Sequence, residues 1–94
     1  MTYRLNNLYI PDDMIDAIKL YIYHGINPGD FLTAVISNDL RVALRKGSNE
    51  NIANLPAFLA YFYNEAPENC WGSQEKMRRW IEKQRKLPTV EEMI

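Results

Sequence analysis

A chain of 94 residues, 47% of them apolar, fills one hydrophobic core and leaves too little for a second. Its formal charge of −1 excludes a strong overall pull on nucleic acid, and a single cysteine, Cys70, excludes an intramolecular disulfide and favours a reducing compartment. The N-terminal Met1-Thr2-Tyr3-Arg4-Leu5-Asn6-Asn7 is too polar for a signal peptide, and every apolar stretch is interrupted well short of the roughly 20 residues a bilayer span requires, so a cytoplasmic location is expected.

Residues 1–10 read as a short N-terminal arm, with Tyr3, Leu5, Leu8, Tyr9 and Ile10 apolar and Asn6-Asn7 interrupting any strand-like alternation. Pro11-Asp12-Asp13 opens a first helix, since proline suits the start and carboxylates favour the positive end of the helix dipole. Met14, Ile15, Ile18, Tyr21 and Ile22 supply its buried stripe, Asp12, Asp16 and Lys19 the opposite face, and Gly25 its end.

A second helix is expected from an Asn27 cap and Pro28 through Lys46, burying Leu32, Val35, Ile36, Leu40, Ala43 and Leu44 and stopping at Gly47. The third lies within 49–65. Asn54 as its cap would put Pro56 safely in the first turn, and a kinked helix is the alternative. Leu55, Phe58, Leu59 and Phe62 supply its core residues, while Ala53, Ala57 and Ala60 form a small-residue face. After a structured loop at 66–72, Ser73 caps a last helix with a narrow stripe of Met77, Trp80, Ile81 and Leu87, and 88–94 reads as a loose tail. The expected fold is all-α, a compact four-helix single domain.

Two segments are distinctive: His24-Gly25-Ile26-Asn27-Pro28-Gly29-Asp30-Phe31-Leu32-Thr33-Ala34-Val35, followed by Asn38-Asp39-Leu40, and Tyr63-Asn64-Glu65-Ala66-Pro67, followed by Cys70-Trp71-Gly72-Ser73. Together these segments resemble a family of short uncharacterised proteins encoded by tailed phages and prophages. The resemblance covers roughly residues 11–82, and Lys46 and Pro56 depart from its pattern. It implies a phage or prophage origin and a role inside the bacterial host cell. It implies no activity and no catalytic residues.

Catalytic and metal chemistry find little support in the residues. One His and one Cys cannot close a zinc site, so no metal and no cofactor is expected. His24 suits the C-terminus of its helix, and Cys70 between Asn69 and Trp71 reads as a packed loop residue. Asp12, Asp13 and Asp16 read as helix-start electrostatics, Glu65 and Glu68 flank Pro67 without a partner motif, and an enzyme is not expected.

Charge is unevenly placed: Ser73–Lys86 holds six basic side chains against two acidic. Lys76, Arg79, Lys83 and Lys86 follow helical spacing beside Trp80, which suits phosphate contacts. Six tyrosines and two tryptophans exceed what one small core needs, and such side chains dominate interface hot spots. The leading expectation is a small phage-type binding protein acting on a host or phage protein as inhibitor or adaptor, with nucleic-acid binding through the basic last helix as the alternative. The expected contact residues are Tyr23, Tyr63, Trp71, Lys76, Arg79 and Lys83, and a two-fold homodimer is a further expectation.

Overall fold

The computed structural model describes residues 3–85 and is mostly helical. A two-stranded hairpin comes first, β1 (Arg4–Leu5) and β2 (Leu8–Tyr9), followed by α1 (Asp12–His24), α2 (Asp30–Ile36), α3 (Leu40–Lys46), α4 (Asn49–Ala53) and α5 (Leu55–Asn64). A 3-10 turn over Glu68–Cys70 leads into α6 (Gln74–Arg85). Among the described residues there are thus six helices and a hairpin where four helices and an arm were expected. The expected roles of Lys86, Leu87 and the 88–94 tail lie outside the described residues.

The N-terminal arm is a hairpin because Asn6-Asn7 is its turn. The strands pair antiparallel with Leu5 opposite Leu8, and Asn6 adopts φ 55, a left-handed conformation that asparagine tolerates. The hairpin lies on α5, with the Tyr3 ring edge-on to Tyr61 at 5.3 Å. The Tyr9 backbone N–H donates to Asn54 Oδ1 at 2.9 Å, and Ile10 is fully buried.

Helix α1 follows its expected pattern, with Ile15, Ile18, Tyr21 and Ile22 buried and Gly25 in the left-handed cap at φ 66. A side chain at Gly25 would also meet Gln84 Cβ at 3.0 Å and the Ile81 carbonyl at 3.1 Å, so glycine there lets α6 approach closely.

The expected second helix is two helices. Asn38 at φ 62 breaks the chain, and the Asp39 carboxylate then accepts from the Val42 N–H at 3.2 Å, starting α3 in a new direction. The change of direction turns Leu40 and Leu44, expected in the core, out to 52% and 55% exposure. The start also lies two residues later than expected: Asn27 Oδ1 accepts from the Gly29 N–H at 2.8 Å, and the helix begins at Asp30. Gly47 ends α3 in extended geometry, and a Cβ there would fall 2.7 Å from the Phe31 ring.

Segment 49–65 also divides. Ser48 caps α4 through its hydroxyl, and Asn54 is the junction, with Pro56 harmless in the first turn of α5. The Asn54 side chain does not cap α5; it bridges the Glu50 carbonyl and the Tyr9 N–H. The break separates the expected alanine face: Ala53 is exposed, Ala57 is fully buried and Ala60 is half-buried. Phe58 and Phe62 anchor α5 in a core shared with Tyr21, Phe31, Leu32, Val35 and Ile36.

Candidate binding surface

The surface bearing most of the expected contact residues is built where the 66–73 loop meets α5 and α6. Three buried anchors hold that loop. The Tyr21 hydroxyl donates to the Cys70 carbonyl at 2.6 Å, the Gly72 N–H donates to the Ile36 carbonyl at 2.7 Å, and Cys70 itself is fully buried. Held on either side of Trp71, the loop lays that indole half-buried against Phe62, the rings stacked at 5.7 Å and 30°. The outer part of the indole remains accessible.

The anchor of α6 is Trp80, whose indole N–H donates to the Ile22 carbonyl at 2.9 Å at the end of α1. The Ser73 hydroxyl caps the helix by accepting from the Lys76 N–H at 3.1 Å. These contacts set the helix rotation, with Met77 and Trp80 inward and Lys76, Arg79 and Lys83 at the surface.

Two adjoining grooves result. One is lined by Phe62, Tyr63, Glu68, Trp71, Gly72 and Lys76, the other by Asn69, Lys76, Arg79, Trp80 and Lys83. Lys76 belongs to both. Its stem passes beside Gly72, where an added Cβ would sit 3.6 Å from Lys76 Cδ. Lys83 Nζ lies 5.1 Å from the Trp80 ring centroid, a cation over an aromatic face. No protein-family model, curated protein or solved structure matches the chain.

The cations of α6 are not equivalent. Arg78 is held between Glu75 at 2.6 Å and Glu82 at 2.7 Å on the flank away from the grooves, and Arg79 Nε donates to Glu75 at 2.9 Å. The Arg78 hydrogen bond holds the Glu75 carboxyl below the usual carboxylate range. Lys76 and Lys83 make no ion pair with a described residue, so they and the outer nitrogens of Arg79 present positive charge to the grooves.

Five of the six expected contact residues therefore line the two grooves: Tyr63, 80% exposed, with Trp71, Lys76, Arg79 and Lys83. Tyr23 does not join them. It is 64% exposed on the outer face of α1, in a shallow groove with Asp16, Lys19, Leu20 and His24. It lies near Tyr61, whose hydroxyl is pushed up by burial first and by Tyr23 next. Sequence reasoning missed Asn69 and read Phe62 as core alone; it set the cations beside Trp80 but did not count Trp80 among the contact residues. Trp80 could have been found, because it lies four residues after Lys76 and three before Lys83 on one helical face.

The remaining candidates are dispersed. Burial pushes the Cys70 thiol up to about 11, so it carries its proton at neutral pH and is a poor nucleophile. His24 is exposed in the α1 groove, whereas Cys70 is buried beneath the 66–73 loop. Asp12 and Asp13 occupy the exposed first turn of α1; Glu65 and Glu68 are exposed, and Glu68 lines the aromatic groove. Among the described residues no group of three or more His, Cys, Asp or Glu is placed to hold a metal ion. No helix there is long and apolar enough to cross a membrane.

Proposed function

We propose that this protein is a non-catalytic binding module that engages a protein partner through the paired grooves between α5, the 66–73 loop and α6. One observation carries the reading: an aromatic groove at Tyr63 and Trp71 and a cationic groove at Arg79 and Lys83 meet at a shared Lys76. An exposed tyrosine and a partly exposed tryptophan are strong contact residues at low entropic cost, and adjacent cations add steering and register. The complementary chemistry is a segment carrying an apolar anchor followed by carboxylates. With the resemblance to short tailed-phage proteins, the reading extends to an inhibitor or adaptor acting on a host or phage protein in the bacterial cytoplasm.

Nucleic acid is the second reading, supported by the Lys76, Arg79 and Lys83 cations beside Trp80. Against it, Glu68 lies in the aromatic groove, and Glu75 and Glu82 engage Arg78.

A displayed library of random peptides, selected on the immobilised protein, tests the proposal. Enriched acidic peptides with an aromatic or leucine anchor should lose binding on Tyr63→Ala or Trp71→Ala and weaken on Lys76→Glu. Enrichment that ignores all three variants would refute it. Steeply salt-dependent binding of single-stranded DNA, abolished by Arg79→Glu with Lys83→Glu, would put nucleic acid in its place.

A further inference from the structure

We propose that copies of this chain associate through a heterologous contact, the outer face of α1 on one copy against the outer face of α3 on the next. This surface is separate from the grooves above and does not depend on their reading.

Both faces group exposed apolar side chains, and grouped rather than scattered apolar side chains mark contact surfaces. On α1, Leu20 is 44% exposed and shares a shallow groove with Tyr23, and just past the helix Ile26 is 46% exposed. On α3, Leu40 and Leu44 stand one turn apart, both more than half exposed. These five account for all the large exposed apolar side chains among the described residues except Tyr63, which lines the aromatic groove.

The charges beside them are opposite. The exposed side of α1 carries Asp12, Asp13 and Asp16, with Lys19 and His24 its only basic groups. That of α3 carries Arg41 and Arg45, each next to one of the leucines. None of these three carboxylates or two guanidiniums forms an ion pair with a described residue, whereas Lys46 reaches Asp30 at 3.8 Å. Of the acids beside α3, Asp39 is occupied in capping it and Asp30 in pairing with Lys46.

Pairing α3 with a second α3 would set Arg41 and Arg45 against their own copies. Pairing α1 with α1 would set the three aspartates against their own copies, with Lys19 and His24 of the helix, Arg4 beside Asp12 and Arg85 at Gly25 as the basic groups around them. Setting α1 against α3 covers the leucines of both faces and opposes carboxylate with guanidinium, so burial supplies affinity and charge selects the orientation. Because the two patches differ, the contact is head-to-tail and repeats from copy to copy.

Half-disabled copies test it. In sedimentation equilibrium up to millimolar concentration, the parent's weight-average mass should rise to about twice the monomer value or beyond. Leu20→Asp and Leu44→Asp should each remain monomeric with unchanged circular dichroism. Mixed in equal amounts they should form a two-chain species, because one keeps its α1 face and the other its α3 face. Arg41→Glu with Arg45→Glu should also be monomeric. If an aspartate variant loses helix signal, Leu20→Ser and Leu44→Ser serve in the same mixture. A parent that stays monomeric, a single variant that assembles like the parent, or a mixture that remains monomeric would each overturn the proposal.

Discussion

Replacing Tyr21 with phenylalanine removes one oxygen from the centre of the fold. The ring is fully buried, and its hydroxyl donates at 2.6 Å to the Cys70 carbonyl, 49 residues away. Burial pushes that hydroxyl's titration far up, so it remains a donor at any ordinary pH. Tyr21→Phe keeps the ring and opens almost no cavity, so the cost is that of a lost buried hydrogen bond with its acceptor left in place, about 1.5 kcal/mol. In a domain of this size that lowers the thermal midpoint by roughly 6–12 °C. Thermal and urea unfolding by circular dichroism read the effect, and the urea slope should stay unchanged. Tyr23→Phe is the control, because Tyr23 is mostly exposed and its variant should fall within about 0.5 kcal/mol of the parent. Equal midpoints for the two variants would refute the claim that this bond holds the Trp71 loop.

Three further outcomes follow from contacts elsewhere. Gly47→Ala places a Cβ 2.7 Å from the Phe31 ring, itself edge-on to Phe58 at 5.2 Å, and urea unfolding should register a loss of about 1–3 kcal/mol; parental stability would mean that Phe31 shifts freely. Asn54→Ala removes the acceptor for the Tyr9 N–H and the donor to the Glu50 carbonyl, so the Tyr9 amide should exchange markedly faster with deuterium while α6 amides do not; equal protection at Tyr9 would show the hairpin holds without Asn54. Cys70 should resist thiol reagents in the native protein and react once unfolded. Because its folded thiol titrates at about 11 rather than 9.0, its contribution to stability is fully present below pH 9.0 and is lost as pH rises through 11. Tyr21 and Tyr61 are also raised by burial and act in the same direction at higher pH, so comparison with Cys70→Val isolates the thiol, and identical alkaline profiles would contradict the assignment.

Much of the candidate surface was readable because helical spacing is local information. Lys76, Arg79 and Lys83 share a face whatever α6 packs against, and Ser73 caps it from its own neighbourhood. That Tyr63 and Trp71 would join them was not readable. Their meeting with Lys76 depends on the Tyr21 and Gly72 hydrogen bonds that dock the 66–73 loop, and both partners lie more than 30 residues away. Tyr23 shows the converse. Composition singled it out with Tyr63, but helical rotation puts it on the outer face of α1, apart from the grooves.

Local chemistry alone determined the start of α1, its Gly25 cap, the tolerance of Pro56 beside Asn54, and the two faces of α6, because caps, proline and amphipathic spacing act within one or two turns. Tertiary structure decided the rest. An apolar pattern running through 28–46 fits one helix as well as two, and the break at Asn38 turns Leu40 and Leu44 outward while Phe31 closes over Gly47. The Asn6-Asn7 turn became a hairpin because Asn54 and Tyr61 of distant segments receive it. Periodicity records which side chains share a face; what that face meets depends on the directions of the other helices, which no single segment encodes.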